Sequence, residues 1–210
     1  MMLEPFSPPP CFAGRTLDII RHGQSTANAE GIVCGQMDCA LSEIGLEQAE
    51  SLAAKLPGYA PDLAFVSPLQ RARQTIAPLG LVGVQRIPAL MEVNTGDFSP
   101  MYIEKMWAEF PIYKYQGRAH EMPYPGGESL YAALARIWGW FISESLNWPT
   151  GSHVMLAGHE GTVCAILHGL LTLNLWAYPT FTIPHASLTR VTWDEMLHMR
   201  IALGHVKADT

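Results

Sequence analysis

The chain is short of charge. Only 15% of its 210 residues are Asp, Glu, Lys or Arg, against roughly 25% in ordinary soluble chains. The 13 basic residues are outnumbered by 19 acidic ones, a net charge of −6. That balance argues against a protein that coats duplex nucleic acid or adheres to an anionic membrane, since both need clustered Lys and Arg. On net charge alone it argues against any anionic ligand. Cysteine is scarce too. The four present, Cys11, Cys34, Cys39 and Cys164, form no C-x-x-C pair, so neither a dense disulfide scaffold nor a zinc ribbon is expected, and they read as buried or idle thiols of a reducing cytoplasm. No apolar run reaches the roughly 20 residues of a membrane span. The richest, residues 163–178, is broken by His168, Gly169, Thr172 and Asn174 and reads as a buried helix. The opening MMLEPFSPPP lacks the basic start and apolar core of a signal peptide, and the expected location is cytoplasmic.

What is present is apolar residue in quantity, 49% of the chain, enough to bury one core. Residues 1–14 read as an N-terminal tail and 15–210 as a single domain with an insertion at about 94–126. Strand signals at 16–20, 63–66, 82–87, 153–157, 188–193 and 198–203 are interleaved with helical spacing at 43–56, 69–79, 102–110, 128–146 and from Val163. Strands separated by helices of this length imply crossovers, a mostly parallel central sheet covered on both faces, and an α/β fold. The insertion carries no strand signal. In it, Tyr102, Met106 and Phe110 share one helical stripe and Ile103 and Trp107 another, a pattern that core packing explains but that could also line an apolar specificity site, while Lys105, Lys114 and Arg118 leave room for a negatively charged substrate.

In open α/β sheets ligands bind beyond the carboxyl ends of the strands, and three loops leave strands there. The first reads Arg21-His22-Gly23-Gln24-Ser25-Thr26-Ala27-Asn28, the second runs from Ser67 to Thr75 and carries Arg71, and the third opens on His159-Glu160-Gly161. Two arginines and two histidines delivered by three strand ends can converge on one tetrahedral anion, because guanidinium groups donate forked hydrogen bonds to such oxygens. The remaining histidines show no i, i+4 pairing of the kind that binds metal. One of them, His185, lies in Pro184-His185-Ala186-Ser187 ahead of a strand.

These loops resemble the histidine phosphatase superfamily, also called the phosphoglycerate-mutase-like family. Its Arg-His-Gly-x-Ser/Thr-x-x-Asn signature matches Arg21 to Asn28, its Ser-Pro-Leu-x-Arg-Ala-x-x-Thr pattern matches Ser67 to Thr75, and PGGES at 125–129 resembles a later segment. The resemblance implies a three-layer α/β/α sandwich, no metal, no cofactor, and a small phosphate ester as substrate. It implies His22 as the nucleophile that becomes a phosphohistidine, with Arg21, Arg71 and His159 holding the phosphoryl oxygens and Glu92 donating a proton to the leaving alcohol. Asn28, Ser25, Gln24, Cys34 and Gly35 match positions at or beside bound phosphate or substrate. Glu160 stands where the family usually has glycine, and a carboxylate there could repel phosphate, serve as an alternative acid or point away. Glu92 is not followed by the Arg-His-Tyr-Gly run of the sugar-phosphate mutases, which tilts the expectation to a phosphatase. A mutase retaining the phosphoryl on His22, or a silent phosphate-binding regulatory protein, are the alternatives.

Overall fold

The computed structural model describes residues 7–114, 118–174 and 180–207. Six strands form the main sheet: β1 (Thr16–Arg21), β3 (Leu63–Val66), β4 (Gln85–Arg86), β6 (His153–Gly158), β7 (Ser187–Trp193) and β8 (Met199–Lys207). A separate two-stranded ribbon is made by β2 (Ile32–Val33) and β5 (Met101–Tyr102). The order across the main sheet is β4-β3-β6-β1-β7-β8. β1, β6, β3 and β4 pair in parallel, whereas β7 and β8 run antiparallel at one side.

Alternation along the central strands divides the interior into two halves, because successive side chains leave opposite faces of a strand. Leu17 and Ile19 of β1, Phe65 of β3, and Val154 and Leu156 of β6 face one side, where α5 (Leu130–Ser145) and α6 (Glu160–Leu170) contribute Leu134, Ile137, Phe141, Val163 and Ile166. Ile20, Ala64, Val66, Met155 and Ala157 face the other, under α2 (Glu43–Ala54) and α3 (Gln70–Ile76) with Leu52, Ala72 and Ile76. The result is the three-layer α/β/α arrangement, with a mixed sheet.

Several helix starts are set by short side chains, as expected of serine at an N-cap. Ser42 accepts from the Gly45 amide at 3.1 Å, and Ser129 from the Ala132 amide at 3.0 Å. Other expectations change. The strand expected over 82–87 contracts to Gln85–Arg86, since Gly83 turns the chain at φ +70° and Val82 is thrown out to solvent. The helix expected over 163–178 begins earlier and stops at Leu170, where Thr172 takes a left-handed turn at φ 53°. Residues 175–178 lie outside the described residues. Within residues 94–126 the chain does form a strand, the short β5, followed by α4 (Ile103–Glu109). Phe12, assigned to the N-terminal tail, is fully buried, with its ring 4.9 Å from that of Trp193.

Candidate active site

All the sheet's parallel strands end on one side, and β1, β3 and β6 deliver their loops to a cavity of about 530 Å³ lined by Arg21, His22, Arg71, Glu92 and Glu160 among others. The volume is that of a small-molecule site. His22 directly follows β1 and is 5% exposed. Its Nδ1 stands 2.6 Å from the Gly23 carbonyl oxygen. A carbonyl only accepts, so the proton resides on Nδ1 and Nε2 keeps its lone pair. Burial chiefly, then the charge on Arg71 with Arg21 adding to it, holds the imidazole well below its usual pKa, and the Gly23 carbonyl only partly opposes them. His22 is thus neutral at physiological pH.

Arg71 is almost fully buried, and α3 aims it into a collar formed by residues 34–39. Its Nη2 donates to the Gly35 carbonyl at 2.8 Å and its Nη1 to the Met37 carbonyl at 3.0 Å. Both sulfurs of Cys34 and Cys39 lie near Nη1, at 3.4 and 3.5 Å. These two cysteines are joined in a disulfide, which corrects the expectation of four idle thiols; Cys11 and Cys164 are free. The C-x-x-C test misses a four-residue spacer, and it is the closure of this loop around Arg71 that brings the two sulfurs together. Cys34 and Gly35 both line the cavity.

Arg21 is held on three sides. It donates to the Ile183 carbonyl and, through Nη2, to His185 Nε2 at 3.2 Å. The same Nη2 lies 3.2 Å from Glu160 Oε2. Because a guanidinium has no acceptor, His185 must present a lone pair, and burial followed by the Arg21 charge pushes its pKa down to about 4. His185 therefore belongs to the site, 5.8 Å ring to ring from His22. His159, fully buried, lies 5.1 Å from the His22 ring and pairs through Nε2 with the Ser67 hydroxyl at 2.9 Å. Burial first, then Arg71 and His22, lower its pKa strongly. It joins the site as a neutral ring rather than a third cation. His159 and Ser67 are thus one unit that ties the third loop to the second.

Glu92 sits across the cavity on a backbone fixed from two directions. Gln36 Nε2 donates to its carbonyl at 3.0 Å, and Arg136 spans the carbonyls of Ala89 and Met91 at 2.7 and 3.2 Å. Glu128 completes the clamp by taking Arg136 Nη2 at 2.6 Å and the Asn94 amide at 2.9 Å. This explains the PGGES segment. A Cβ at Gly127 would stand 2.2 Å from the Asn94 carbonyl oxygen, so only glycine lets Glu128 reach the Glu92 loop. Arg136 and Gln36 escaped sequence reasoning, since an isolated arginine on a helix and a glutamine in a loop carry no pattern.

Two expectations for substrate contacts change. Gln24 does not line the cavity; its Oε1 accepts from Ser42 Oγ at 2.8 Å and its backbone N–H donates to Gln48 Oε1 at 2.9 Å, so it clasps the His22 loop to α2. Ser25 borders the cavity, but its hydroxyl is spent on a capping box with Asn28, donating to Oδ1 at 2.9 Å and accepting from the backbone amide at 3.1 Å. It positions Asn28, which lines the cavity at the start of α1 (Thr26–Glu30). Gly23, the glycine after His22, packs closely on the backbone of Gly45. A Cβ at Gly45 would lie 1.9 Å from the Gln24 carbonyl oxygen. Gly45→Ala is therefore expected to lower stability by about 2 kcal/mol and to reduce turnover by shifting the His22 loop. Gly139→Ala, on an open helix face of α5, is expected to be neutral or stabilising by about 0.5 kcal/mol; urea melts of the two variants check the contrast.

Beyond these groups the cavity is walled by the ribbon and the insertion, with Ile32, Val33, Ile103, Met106, Trp107 and Tyr113 on its sides. The stripe residues Ile103 and Trp107 are pocket wall, whereas Tyr102 is 60% exposed. Phe98 packs with Phe110 and Tyr113 at 4.7 and 5.2 Å, giving the insertion a small aromatic core of its own. Lys114 also lines the cavity, its ammonium 5.3 Å from the Trp107 ring; the side chain of Arg118 lies outside the described residues.

Comparison with known proteins identifies the family. Residues 17–199 match the model of the histidine phosphatase superfamily, branch 1. A 2,3-bisphosphoglycerate-dependent phosphoglycerate mutase of Chelativorans sp. is 35% identical over 170 residues, covering 74% of this chain and 82% of the relative. One from Sinorhizobium fredii is 32% identical over 200 residues, covering 90% and 86%. Among solved structures, a mycobacterial glucosyl-3-phosphoglycerate phosphatase complexed with VO3 is 28% identical and superposes with a TM-score of 0.78, over 93% of this chain and 100% of its own. With the signature loops of β1, β3 and β6 converging on one buried histidine and the match spanning nearly the whole fold, the chain belongs to the histidine phosphatase superfamily.

Proposed function

We propose that the protein is a phosphatase that hydrolyses small phosphate monoesters through a phosphohistidine on His22, without a metal. His22 Nε2 attacks phosphorus in line with the ester oxygen, so that an N–P bond forms as the P–O bond breaks and Glu92 gives its proton to the departing alcohol. Water then opens the N–P bond, its proton returns to Glu92, and inorganic phosphate leaves. Arg21 and Arg71 supply the positive charge that such a transition state requires over its equatorial oxygens. His159, held by Ser67, contributes a ring donor beside the nucleophile. Asn28 and the Cys34-Gly35 turn border the same space.

The observation that favours hydrolysis over transfer is the far wall of the cavity. A mutase must hold a second strongly anionic group while the phosphoryl waits on His22. Here the chain after Glu92 folds into a largely apolar and aromatic wall to which, among the described residues, Lys114 adds one cation and His120 an imidazole, apart from Arg21 and Arg71 at the other end, and Glu160 adds a carboxylate. Such a wall suits an ester whose alcohol carries an apolar or aromatic part. The solved mycobacterial phosphatase supports this reading. The names of the sequence relatives favour the mutase as the second one. The test is phosphate release from an aryl phosphate and from 3-phosphoglycerate in excess chelator. Release that persists in chelator and outpaces isomerisation is the expected result. Activity lost with the chelator refutes the metal-free route, isomerisation faster than release makes the protein a mutase, and no turnover on a broad ester panel makes it a binding protein.

A further inference from the structure

Glu160 is the residue in the cavity that ordinary phosphate recognition does not account for. It opens α6, one position past His159, and lines the same space as Arg21, His22 and Arg71. Its Oε2 lies 3.2 Å from Arg21 Nη2, so it already neutralises one of the two guanidinium groups that would receive the phosphoryl oxygens. Arg21 has little else to give. One terminal nitrogen is committed to the Ile183 carbonyl, Nη2 is shared between His185 and Glu160, and Nε is buried with no partner among the described residues. A dianion that takes Nε and a share of Nη2 comes to rest beside the Glu160 carboxylate.

That arrangement places two like charges on one donor at a distance where, even with the Glu160 side chain 32% exposed, repulsion between them weakens binding. It resolves at least cost if the carboxylate accepts a proton. The groups facing Glu160 are Arg21 from β1, Glu92 from the loop after the 3-10 turn Pro88–Leu90, and Cys164 one turn along its own helix. The Cys164 thiol, pushed up to about 12, stays neutral. Arg21 favours the carboxylate form, whereas Glu92 opposes it. Burial, which is the largest influence, also opposes it, and the Glu160 carboxyl stands above its ordinary value.

We propose that Glu160 is a proton-coupled gate on the phosphate subsite: a tetrahedral dianion enters between Arg21, His22 and Arg71 as Glu160 takes up one proton from solvent, and the neutral carboxyl then releases Arg21 and can donate to an anion oxygen. The proposal rests on reading that cavity as a phosphate subsite. It makes Glu160 a specificity-determining residue, favouring capture at lower pH and easing product departure when the proton is lost.

The probe is inorganic sulfate, a dianion across the whole range, so that the ligand's own titration does not enter. Calorimetric titrations of wild type and Glu160→Gln in buffers of different ionisation enthalpy count the protons taken up. Wild type is expected to take up nearly one proton per sulfate in the upper part of the range, with affinity falling about tenfold for each pH unit there. Glu160→Gln, and Glu160→Gly as a second variant, are expected to bind sulfate at the high-pH end about tenfold more tightly than wild type, with the proton uptake gone. Uptake that persists in both variants places the proton on another group and overturns the gate, as does wild-type binding with no uptake. Sulfate that binds none of the three proteins, at any pH, overturns the subsite reading itself.

Discussion

His22→Ala is expected to lower kcat for ester hydrolysis on the order of 10⁴-fold or more, and to abolish labelling of the protein by a phosphoryl donor. Removing the attacking group of a covalent mechanism eliminates the route rather than weakening it, and what survives is the modest help that binding and charge stabilisation give to direct attack by water. The effect on the fold should be small by comparison. The ring is buried, but its hydrogen bond goes to the adjacent Gly23 carbonyl, and the neighbouring backbone is tied down independently by the His22 amide on Gly158 and the Gly23 amide on Thr75 Oγ1 at 2.9 Å. Folded variant with no labelling, seen by rapid quench under alkaline conditions that preserve phosphohistidine, is the predicted outcome. A variant retaining wild-type kcat would transfer the nucleophile role elsewhere.

The same site makes a statement about pH. A group whose pKa is depressed is deprotonated over a wider acidic range, and the neutral form of His22 is the one that attacks. Burial and the Arg71 charge hold His22 well below its usual range, so its protonation does not limit turnover near the ordinary histidine pKa. Any loss of kcat/KM in mildly acid solution must therefore come from the substrate's own titration, since Glu92 as proton donor and Glu160 as gate both act in their protonated forms.

The net charge of −6 counts against an anionic ligand on composition alone, yet the cavity concentrates Arg21 and Arg71 within it. A bulk count averages over distances that physiological salt screens, roughly 8 Å, whereas recognition is set by a few groups inside that length. The loops carrying those groups were legible because chemistry fixes their residue types next to strand ends. So were the central strands, whose short continuous apolar runs suit a sheet buried on both faces. What sequence could not show was which partner each polar group would choose. Gln24 and Ser25 occupy signature positions, but their hydrogen bonds run to α2 and Asn28. Glu160 occupies a position where the family usually has glycine, and in space it is a partner of Arg21. The clamp of Gln36, Glu128 and Arg136 on Glu92 joins residues that are 56, 8 and 44 to 47 positions apart, and nothing local marks any of them.

β1 itself carries one such hidden choice, and it leads to the largest expected loss of stability. Asp18 stands in the middle of an otherwise apolar strand and is fully buried. Burial alone would raise its pKa, but the value is lowered by hydrogen bonds from Arg190, His153 and Tyr59. Arg190 grips it with two nitrogens, each at 2.7 Å, His153 Nε2 lies 2.7 Å away and the Tyr59 hydroxyl 2.8 Å. These partners come from β7, β6 and the turn after α2, so one carboxylate pins β1 to both neighbouring strands and to the layer above them. Asp18→Asn keeps the shape but removes the charge and offers a donor where only acceptors are wanted. Breaking a buried pair from one side is expected to cost about 3 kcal/mol, which corresponds to roughly 6–12 °C in Tm for a chain of this size. The pH dependence has a definite sign. Because the folded pKa is depressed, the contribution of Asp18 is fully present above the ordinary carboxylate range and is lost as pH falls through the lower folded value. The gap between wild type and Asp18→Asn, measured in urea, should therefore be widest near neutrality and close in acid. A gap that stayed constant down to the lowest pH at which both proteins fold would mean that shape, not charge, is what Asp18 contributes, and that β1 holds the nucleophile loop in place by packing alone.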